Sequence, residues 1–212
     1  NNTIFGTRFA ALPDVGDVPL VGDLSSCILS EPIDVSRYAL IYAGAQKNMG
    51  VAGLTVVIVR RDLVRDDLPP QVPTMLRYST HMKADSLYNT PPCQAIYMCG
   101  KVLRWLKGLG GLESMAGINR RKADLLYSYL DQSKVFRGTA HPDSRSMMNV
   151  TFVTGDKARD AEFVRYAEQS GLVGLKGHRA AGGMRASIYN AIPMAGVQAL
   201  VDCMAAYEEA QA

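Results

Sequence analysis

Residues 38–59 read YALIYAGAQKNMGVAGLTVVIV, in which two apolar runs flank a turn of small and polar residues. The first run extends from Tyr38 to Ala43, and the second, from Leu54 to Val59, is rich in β-branched residues. Short apolar runs bounded by turn residues are typical of buried strands. Because the second run is apolar on both faces, we expect a strand that is covered on two sides.

Another apolar run, Val18 to Val21, precedes this stretch and ends at Gly22-Asp23. It also has the length and composition of a buried strand. The first third of the chain is therefore predicted to be part of an open α/β layer.

A long helical pattern follows a proline-rich loop. The segment Asn89-Thr90-Pro91-Pro92 opens this pattern, with Thr90 predicted as the N-cap and Pro91 as the first helical residue. The pattern continues through Lys107, and a glycine cluster at 108–111 is predicted to end it.

The glycine cluster also marks a predicted domain boundary, since the composition changes after it. We expect residues 1–112 to belong to one domain and residues 113–212 to form a small α+β domain. The predicted elements after the cluster are helices at about 112–130, 156–170 and 194–210 and strands at 147–153, 172–175 and 185–189.

The composition excludes several functional classes. Hydrophobic residues make up 48% of the chain, and 23 Lys and Arg against 20 Asp and Glu leave a net charge of +3 without a long basic run. We therefore expect a globular protein that does not bind nucleic acid. The longest apolar stretch is far shorter than the roughly 20 residues of a membrane helix, so no bilayer-spanning segment is predicted.

The 4 cysteines are widely spaced, without a Cys-x-x-Cys pair or a His/Cys metal-binding pattern. This spacing argues against a disulfide scaffold and a metal site, and it favours reduced thiols in the cytoplasm. The chain starts at Asn1 with neither an initiator methionine nor a secretory signal pattern. We interpret this start as internal to a longer protein.

Lys47 is the most unusual residue of the opening stretch, because it lies in a tight turn between two predicted buried strands. Desolvation disfavours the ammonium form, and a neutral amine is the form that makes a Schiff base with an aldehyde cofactor. The alternative is a lysine whose ammonium group reaches solvent past the turn.

Asp23 follows an apolar strand, at the position where open α/β sheets place ligand-binding groups. A carboxylate there can pair with a protonated pyridine nitrogen and keep that ring cationic. The alternative is that Asp23 caps the turn formed by the next three residues.

Several longer sequence motifs make the pattern specific. They are Asp23-Leu24-Ser25-Ser26, Tyr42-Ala43-Gly44-Ala45-Gln46-Lys47-Asn48 followed by Gly53-Leu54-Thr55, Tyr88-Asn89-Thr90-Pro91-Pro92, Lys176-Gly177-His178-Arg179 and Gly182-Gly183-Met184-Arg185-Ala186-Ser187. In this order they resemble the phosphoserine aminotransferases, and the resemblance runs from Thr3 almost to the end of the chain. Met49 and Val51 depart from the family pattern, and neither touches the implied chemistry.

The resemblance implies a fold of the aspartate-aminotransferase type and pyridoxal 5'-phosphate as the cofactor. Residues 1–112 would then be the carboxy-terminal part of the large cofactor-binding domain. Lys47 is similar to the lysine that forms the Schiff base, and Asp23 is similar to the partner of the pyridinium nitrogen. Gln46 resembles a ligand of the cofactor phosphate, and Thr3 resembles the hydroxyl that bonds the phenolic oxygen.

Other positions resemble subunit-contact and substrate-binding residues of the family. Asn89 and Thr90 are similar to residues that reach the cofactor phosphate of the neighbouring subunit, which implies a homodimer with shared active sites. Arg185 resembles the ligand of the substrate α-carboxylate, and His178 and Arg179 resemble the pair that recognises the substrate phosphate. Without the resemblance, Thr90 is explained as an N-cap, and His178 and Arg179 as part of a solvated basic loop.

The implied reaction is the reversible transfer of an amino group from glutamate to 3-phosphohydroxypyruvate, giving phosphoserine and 2-oxoglutarate in serine biosynthesis, with pyridoxine biosynthesis as a further pathway. The alternatives are a related aminotransferase for another phosphorylated 2-oxo acid, a non-catalytic interaction protein derived from one, and an inactive fragment. In the family, a phosphate loop and an aromatic residue that stacks on the cofactor precede Thr3. We therefore expect the 212 residues alone to bind the cofactor weakly and to be active only with an amino-terminal segment supplied.

Overall fold

The computed structural model describes residues 1–211, which form two compact units. The first unit comprises Asp14–Ser25 and Ile33–Trp105. Within the described residues, the second unit comprises Asn1–Pro13, Ser26–Pro32 and residues 106–211. The expected domains, residues 1–112 and 113–212, stay a prediction, because the compact units are discontinuous in sequence.

The first unit contains a three-stranded sheet in the order β1-β2-β3, with β1 at Val21–Asp23, β2 at Leu40–Gly44 and β3 at Thr55–Val59. β1 is parallel to β2, and β2 is antiparallel to β3. Parallel pairing brings the carboxyl ends of β1 and β2 to one edge of the sheet, where Asp23 is the register partner of Tyr42.

The expectation that these strands are buried on both faces is wrong for much of the sheet. Along β2, the alternation is that of a half-buried strand, with Ile41 and Ala43 buried and Tyr42 39% exposed. In β3, Val57 and Ile58 are 38% and 40% exposed, because the three strands contact chiefly one another. The apolar run at 18–21 is also misplaced, since β1 begins only at its last residue.

Helix α1, Tyr78–Lys83, was not predicted, and helix α2 extends over Cys93–Gly108. The predicted N-cap at Thr90 is wrong, because α2 begins three residues later. A residue that precedes proline is disfavoured in the α conformation, and this applies to both Thr90 and Pro91. The end of α2 at the glycine cluster is confirmed, with Gly110 in the left-handed region at φ +95°.

The second unit places three helices, α3 at Gly111–Gln132, α4 at Lys157–Gln169 and α5 at Met194–Ala210, with an antiparallel sheet. The strands are β4 at Arg137–Gly138, β5 at Asn149–Val153 and β6 at Met184–Ser187. The core is built around aromatic rings in edge contacts, with ring centroids of Phe136 and Phe163 4.6 Å apart. The predicted helices and the strands at 147–153 and 185–189 are confirmed to within a few residues.

The strand expected at 172–175 is absent from the described structure. Gly171 and Gly174 have φ angles of +80° and +79°, which interrupt an extended conformation, and Val173 is 79% exposed. An isolated bridge pairs Lys176, which follows this segment, with Met184.

A buried lysine fixes the segment that follows β6. Lys122 on α3 is fully buried, and its ammonium donates to the carbonyl oxygens of Ile188, Tyr189 and Ile192 at 3.0, 2.8 and 3.0 Å. Burial lowers the pKa of Lys122 to about 8. The three acceptors explain how a cation is tolerated in this core.

Within residues 1–211, none of the helices combines the length and apolar character needed to cross a bilayer. The same residues contain no cluster of His, Cys, Asp and Glu arranged to hold a metal ion. Cys27, Cys93, Cys99 and Cys203 all lie within the described residues, and none of them forms a disulfide bond there.

Candidate active site

The turn that carries Lys47 connects β2 to β3 and is closed by backbone hydrogen bonds. The Ala45 amide donates to the Leu54 carbonyl at 2.9 Å, and the Ala45 carbonyl accepts from the amides of Met49 and Gly50 at 3.0 and 2.8 Å. Ala45 and Met49 are buried, whereas Lys47 is half-buried. The turn therefore fixes the backbone of Lys47 while its side chain keeps access to the surface.

The side chain of Gln46 depends on the glycine that ends β2. A Cβ atom on Gly44 would lie 2.6 Å from Oε1 of Gln46, so any other residue at position 44 would push this amide away. Gln46 is exposed, and its amide is available to a ligand at this edge of the sheet.

Asp23 is held beside this turn as a carboxylate. Its Oδ1 accepts from the Ser25 amide at 2.9 Å, and the Ser25 hydroxyl accepts from the Gly44 amide at 3.0 Å, which links the ends of β1 and β2. Partial burial raises the pKa of Asp23, but hydrogen bonds from Ser25, the charge of Lys47 and the Tyr42 hydroxyl together hold it below its usual 3.8. The hydrogen bond to Ser25 confirms that one oxygen of Asp23 caps the turn after β1. The carboxylate is ionised and lies close enough to Lys47 for the two charges to interact.

Arg185 lies on β6 in the second unit and has a largely unused guanidinium. One Nη1 donates to the Thr3 carbonyl at a long 3.4 Å, and Nε is buried without a hydrogen-bond partner among residues 1–211. Buried donors of this kind are rare in native proteins and indicate a missing acceptor. The planar fork of arginine matches a carboxylate.

His178 and Arg179 lie on a loop that glycines hold in a tight conformation. The Gly177 amide donates to the Gly183 carbonyl at 2.9 Å, and a Cβ on Gly177 would lie 2.0 Å from the Gly182 carbonyl oxygen. The His178 Nδ1 accepts from the Ala180 amide at 3.2 Å, so the neutral ring carries its proton on Nε2. This loop lines a cleft of about 760 Å³ with His178 half-buried and Arg179 exposed.

Asn89 and Thr90 are both exposed in the first unit. The side-chain amide of Asn89 donates from Nδ2 to the Thr90 backbone carbonyl at 3.0 Å. Because α2 begins at Cys93, neither residue lies at the start of the helix, and Thr90 is not its N-cap, contrary to our expectation.

The structure brings three of the predicted site residues together, Asp23, Gln46 and Lys47, at the carboxyl ends of β1 and β2. In the second unit it brings Arg185 to the backbone of Thr3 and places His178 beside Arg179. Tyr42 was not predicted as a partner of Asp23, whereas Ser25 lies in the turn that the capping alternative named. The Asp-x-Ser spacing was the available signal for Ser25, since such a pair often forms a local turn.

Comparisons with known proteins agree with this arrangement. The family described as aminotransferase class-V matches residues 1–200. A phosphoserine aminotransferase from Niallia circulans is 55% identical over 205 residues, which are 96% of this chain and 56% of that protein. The chain therefore spans a little over half the length of such relatives.

Solved structures show the same architecture. The phosphoserine aminotransferase from Bacillus circulans subsp. alkalophilus is 52% identical with a TM-score of 0.96, over 100% of this chain and 59% of that one. The PLP-bound enzyme from Trichomonas vaginalis is 40% identical with a TM-score of 0.92, over 97% of this chain and 58% of that one. The expected aminotransferase fold is confirmed, and the chain belongs to the class-V aminotransferase family.

Proposed function

We propose that the protein is a pyridoxal-phosphate-dependent phosphoserine transaminase of the cytoplasm. It would exchange an amino group between glutamate and 3-phosphohydroxypyruvate, with O-phosphoserine and 2-oxoglutarate as products. The observation that carries the proposal is the position of an ionised Asp23 near Lys47, at the carboxyl ends of adjacent strands, in a member of this family. We also propose that residues 1–112 belong to the large cofactor-binding domain and residues 113–212 to the small domain.

The residues at this edge fit the cofactor chemically. Asp23 is an acceptor that stays ionised and can hold a proton on a pyridine nitrogen, and the half-buried Lys47 supplies a primary amine. Gln46 supplies an amide donor for the phosphate, and we propose the Thr3 hydroxyl as the donor to the phenolic oxygen. When bound, pyridoxal phosphate supplies an aldehyde that reacts with amines and a ring that accepts electron density from the substrate α-carbon.

Lys47 has two roles in this proposal. Its amine holds the cofactor covalently while no amino acid is bound. Once an amino acid has replaced it, the free amine would move a proton from the substrate α-carbon to a cofactor carbon, and in the opposite direction in the second half of the reaction, as general base and acid. The closed turn between β2 and β3 keeps the position of Lys47 fixed during both roles.

Arg185 is proposed to bind the substrate α-carboxylate through its fork. The buried Nε without a partner supports this role, because a carboxylate would satisfy it together with a second N–H donor. His178 and Arg179 are proposed to bind the phosphate, with the protonated Nε2 of His178 and the exposed guanidinium of Arg179 as donors.

Replacing Arg179 by alanine tests the substrate assignment. We expect productive binding of phosphoserine to weaken by about 1.5–3 kcal/mol, which is the contribution of a hydrogen bond to a charged group. Glutamate should lose less, because its side chain carries a single charge. The measurement is kcat/KM for both substrates in the active enzyme, with the exposed Arg121→Ala on α3 as a control. Equal losses for the two substrates, or none, would remove Arg179 from the phosphate site.

We also propose that the protein is a homodimer in which Asn89 and Thr90 of one subunit contact the cofactor phosphate of the other. Helix α2 supports this proposal, because it buries only a narrow stripe, Ala95, Cys99 and Leu106, and leaves large apolar side chains exposed. These side chains include Ile96, Tyr97, Leu103 and Trp105. An exposed apolar surface of this kind is typical of a subunit interface.

The double variant Ile96→Asp/Leu103→Asp tests the dimer. We expect sedimentation velocity to show a dimer for the unchanged protein and a monomer for the variant, because two carboxylates would be buried in the interface. Gln94→Asp adds a carboxylate at an exposed polar position of the same helix and should leave the dimer intact. A dimer that tolerates the double variant would place the interface elsewhere.

A further inference from the structure

The cleft beside the loop of His178 and Arg179 is lined by more cations than a substrate phosphate requires. Arg137 lies on β4, and Lys157 and Arg165 lie on α4. Lys176 and Arg179 lie on the loop, immediately before and after Gly177-His178. We call this volume of about 760 Å³ the basic cleft. It belongs entirely to the second unit.

The cations of the basic cleft are not neutralised by the carboxylates near them. Within residues 1–211, none of the five forms an ion pair. Asp160 also lines the cleft, but it is buried and accepts from the amide and hydroxyl of Thr154 at 2.7 and 2.8 Å. Glu168 is the other carboxylate of the lining. The positive charge is therefore available to an anion.

Side chains, and not the start of α4, would bind that anion. Asp156 caps α4 and already accepts from the amides of Ala158 and Arg159 at 2.6 and 3.0 Å. The guanidinium of Arg137 lies against Gly155, where a Cβ would be 3.2 Å from Nη2. Position 155 favours glycine for two reasons: its φ is +90°, and a Cβ would crowd the Arg137 guanidinium.

The size and lining of the cleft indicate the class of ligand. The five cations come from β4, α4 and the loop, around a volume much larger than one phosphate, so a ligand with two linked phosphates can contact more of them than a single phosphate can. Val153, Ala161 and Val164 add an apolar wall, and the volume lies in the range of small-molecule sites. We propose that the basic cleft binds a small molecule with a diphosphate group, of the nucleoside diphosphate type. This site lies beyond the proposed transaminase reaction, although Arg179 contributes to both.

Isothermal titration calorimetry of the whole chain tests the site. ADP and inorganic pyrophosphate are titrated separately at the same ionic strength. We expect saturable binding of one ADP per chain. The double variant Lys157→Gln/Arg165→Gln should weaken it about tenfold or more, because two charge-assisted contacts are lost. The control Arg121→Gln/Arg159→Gln removes the same charge from positions outside the cleft and should leave the affinity unchanged. Lys176→Gln, on the opposite wall, is a second test variant.

Tighter binding of ADP than of pyrophosphate would support a nucleoside diphosphate, since only ADP can cover the apolar wall. Equal binding of both would support the diphosphate group alone, with free pyrophosphate as a sufficient ligand. The proposal is overturned if neither compound binds saturably, or if the control weakens binding as much as the cleft variants do. No arm of this experiment measures transamination, so its failure leaves the proposed function unaffected.

Discussion

Replacing Lys47 by alanine is expected to abolish covalent cofactor attachment and to lower kcat by about 10⁴-fold or more, because one change removes both the attachment point and the general base. Added methylamine should restore part of the lost rate by acting as the missing base. The measurements are steady-state kinetics of the active enzyme and the absorbance of the bound cofactor. Lys107→Ala, at an exposed position of α2, is the matched control and should behave like the unchanged protein. A Lys47→Ala variant that retained normal turnover would contradict the account.

The change Asp23→Asn is expected to lower kcat by about 10²–10³-fold, the range for removing one preorganised electrostatic group. An asparagine amide oxygen can still accept from the Ser25 amide, so the turn after β1 should be kept. It cannot hold a proton on the pyridine nitrogen, and the loss should therefore appear in turnover and not in the free energy of unfolding.

The pH dependence gives a further check on Asp23. Because its pKa is held below 3.8, the carboxylate stays ionised until the pH falls below that value, and no loss of activity near pH 5 should come from this group. Asp23→Glu should retain more activity than Asp23→Asn. Unchanged kinetics in Asp23→Asn would show that the carboxylate is only a cap.

Local signals explain which elements could be predicted from the sequence. Helix α4 carries its own N-cap, Asp156, and α5 follows Pro193, so both were predicted within one residue of their observed bounds. Two of the errors arose where backbone restrictions override apolar content. Two consecutive prolines delay α2 to Cys93, and Gly171 and Gly174 prevent a strand between them.

The candidate site was predictable in part, for a similar reason. Lys47 and Asp23 are charged residues that follow apolar runs, and this contrast is visible in the sequence without a structure. The contact of Asp23 with Tyr42 was not predictable from the local sequence, because it depends on the register of β1 and β2. The guanidinium of Arg185 contacts the backbone of Thr3, 182 positions away, and no local pattern reveals this contact.

The central claim is that Lys47 holds the cofactor, and borohydride reduction followed by peptide mapping tests it most directly. The protein is incubated with pyridoxal phosphate, reduced so that the carbon–nitrogen bond to the lysine becomes permanent, digested and analysed by mass spectrometry. We expect the cofactor mass on the peptide containing Lys47 and on no other lysine. Label on a different lysine, or no label in a protein that shows the yellow colour of bound cofactor, would contradict it.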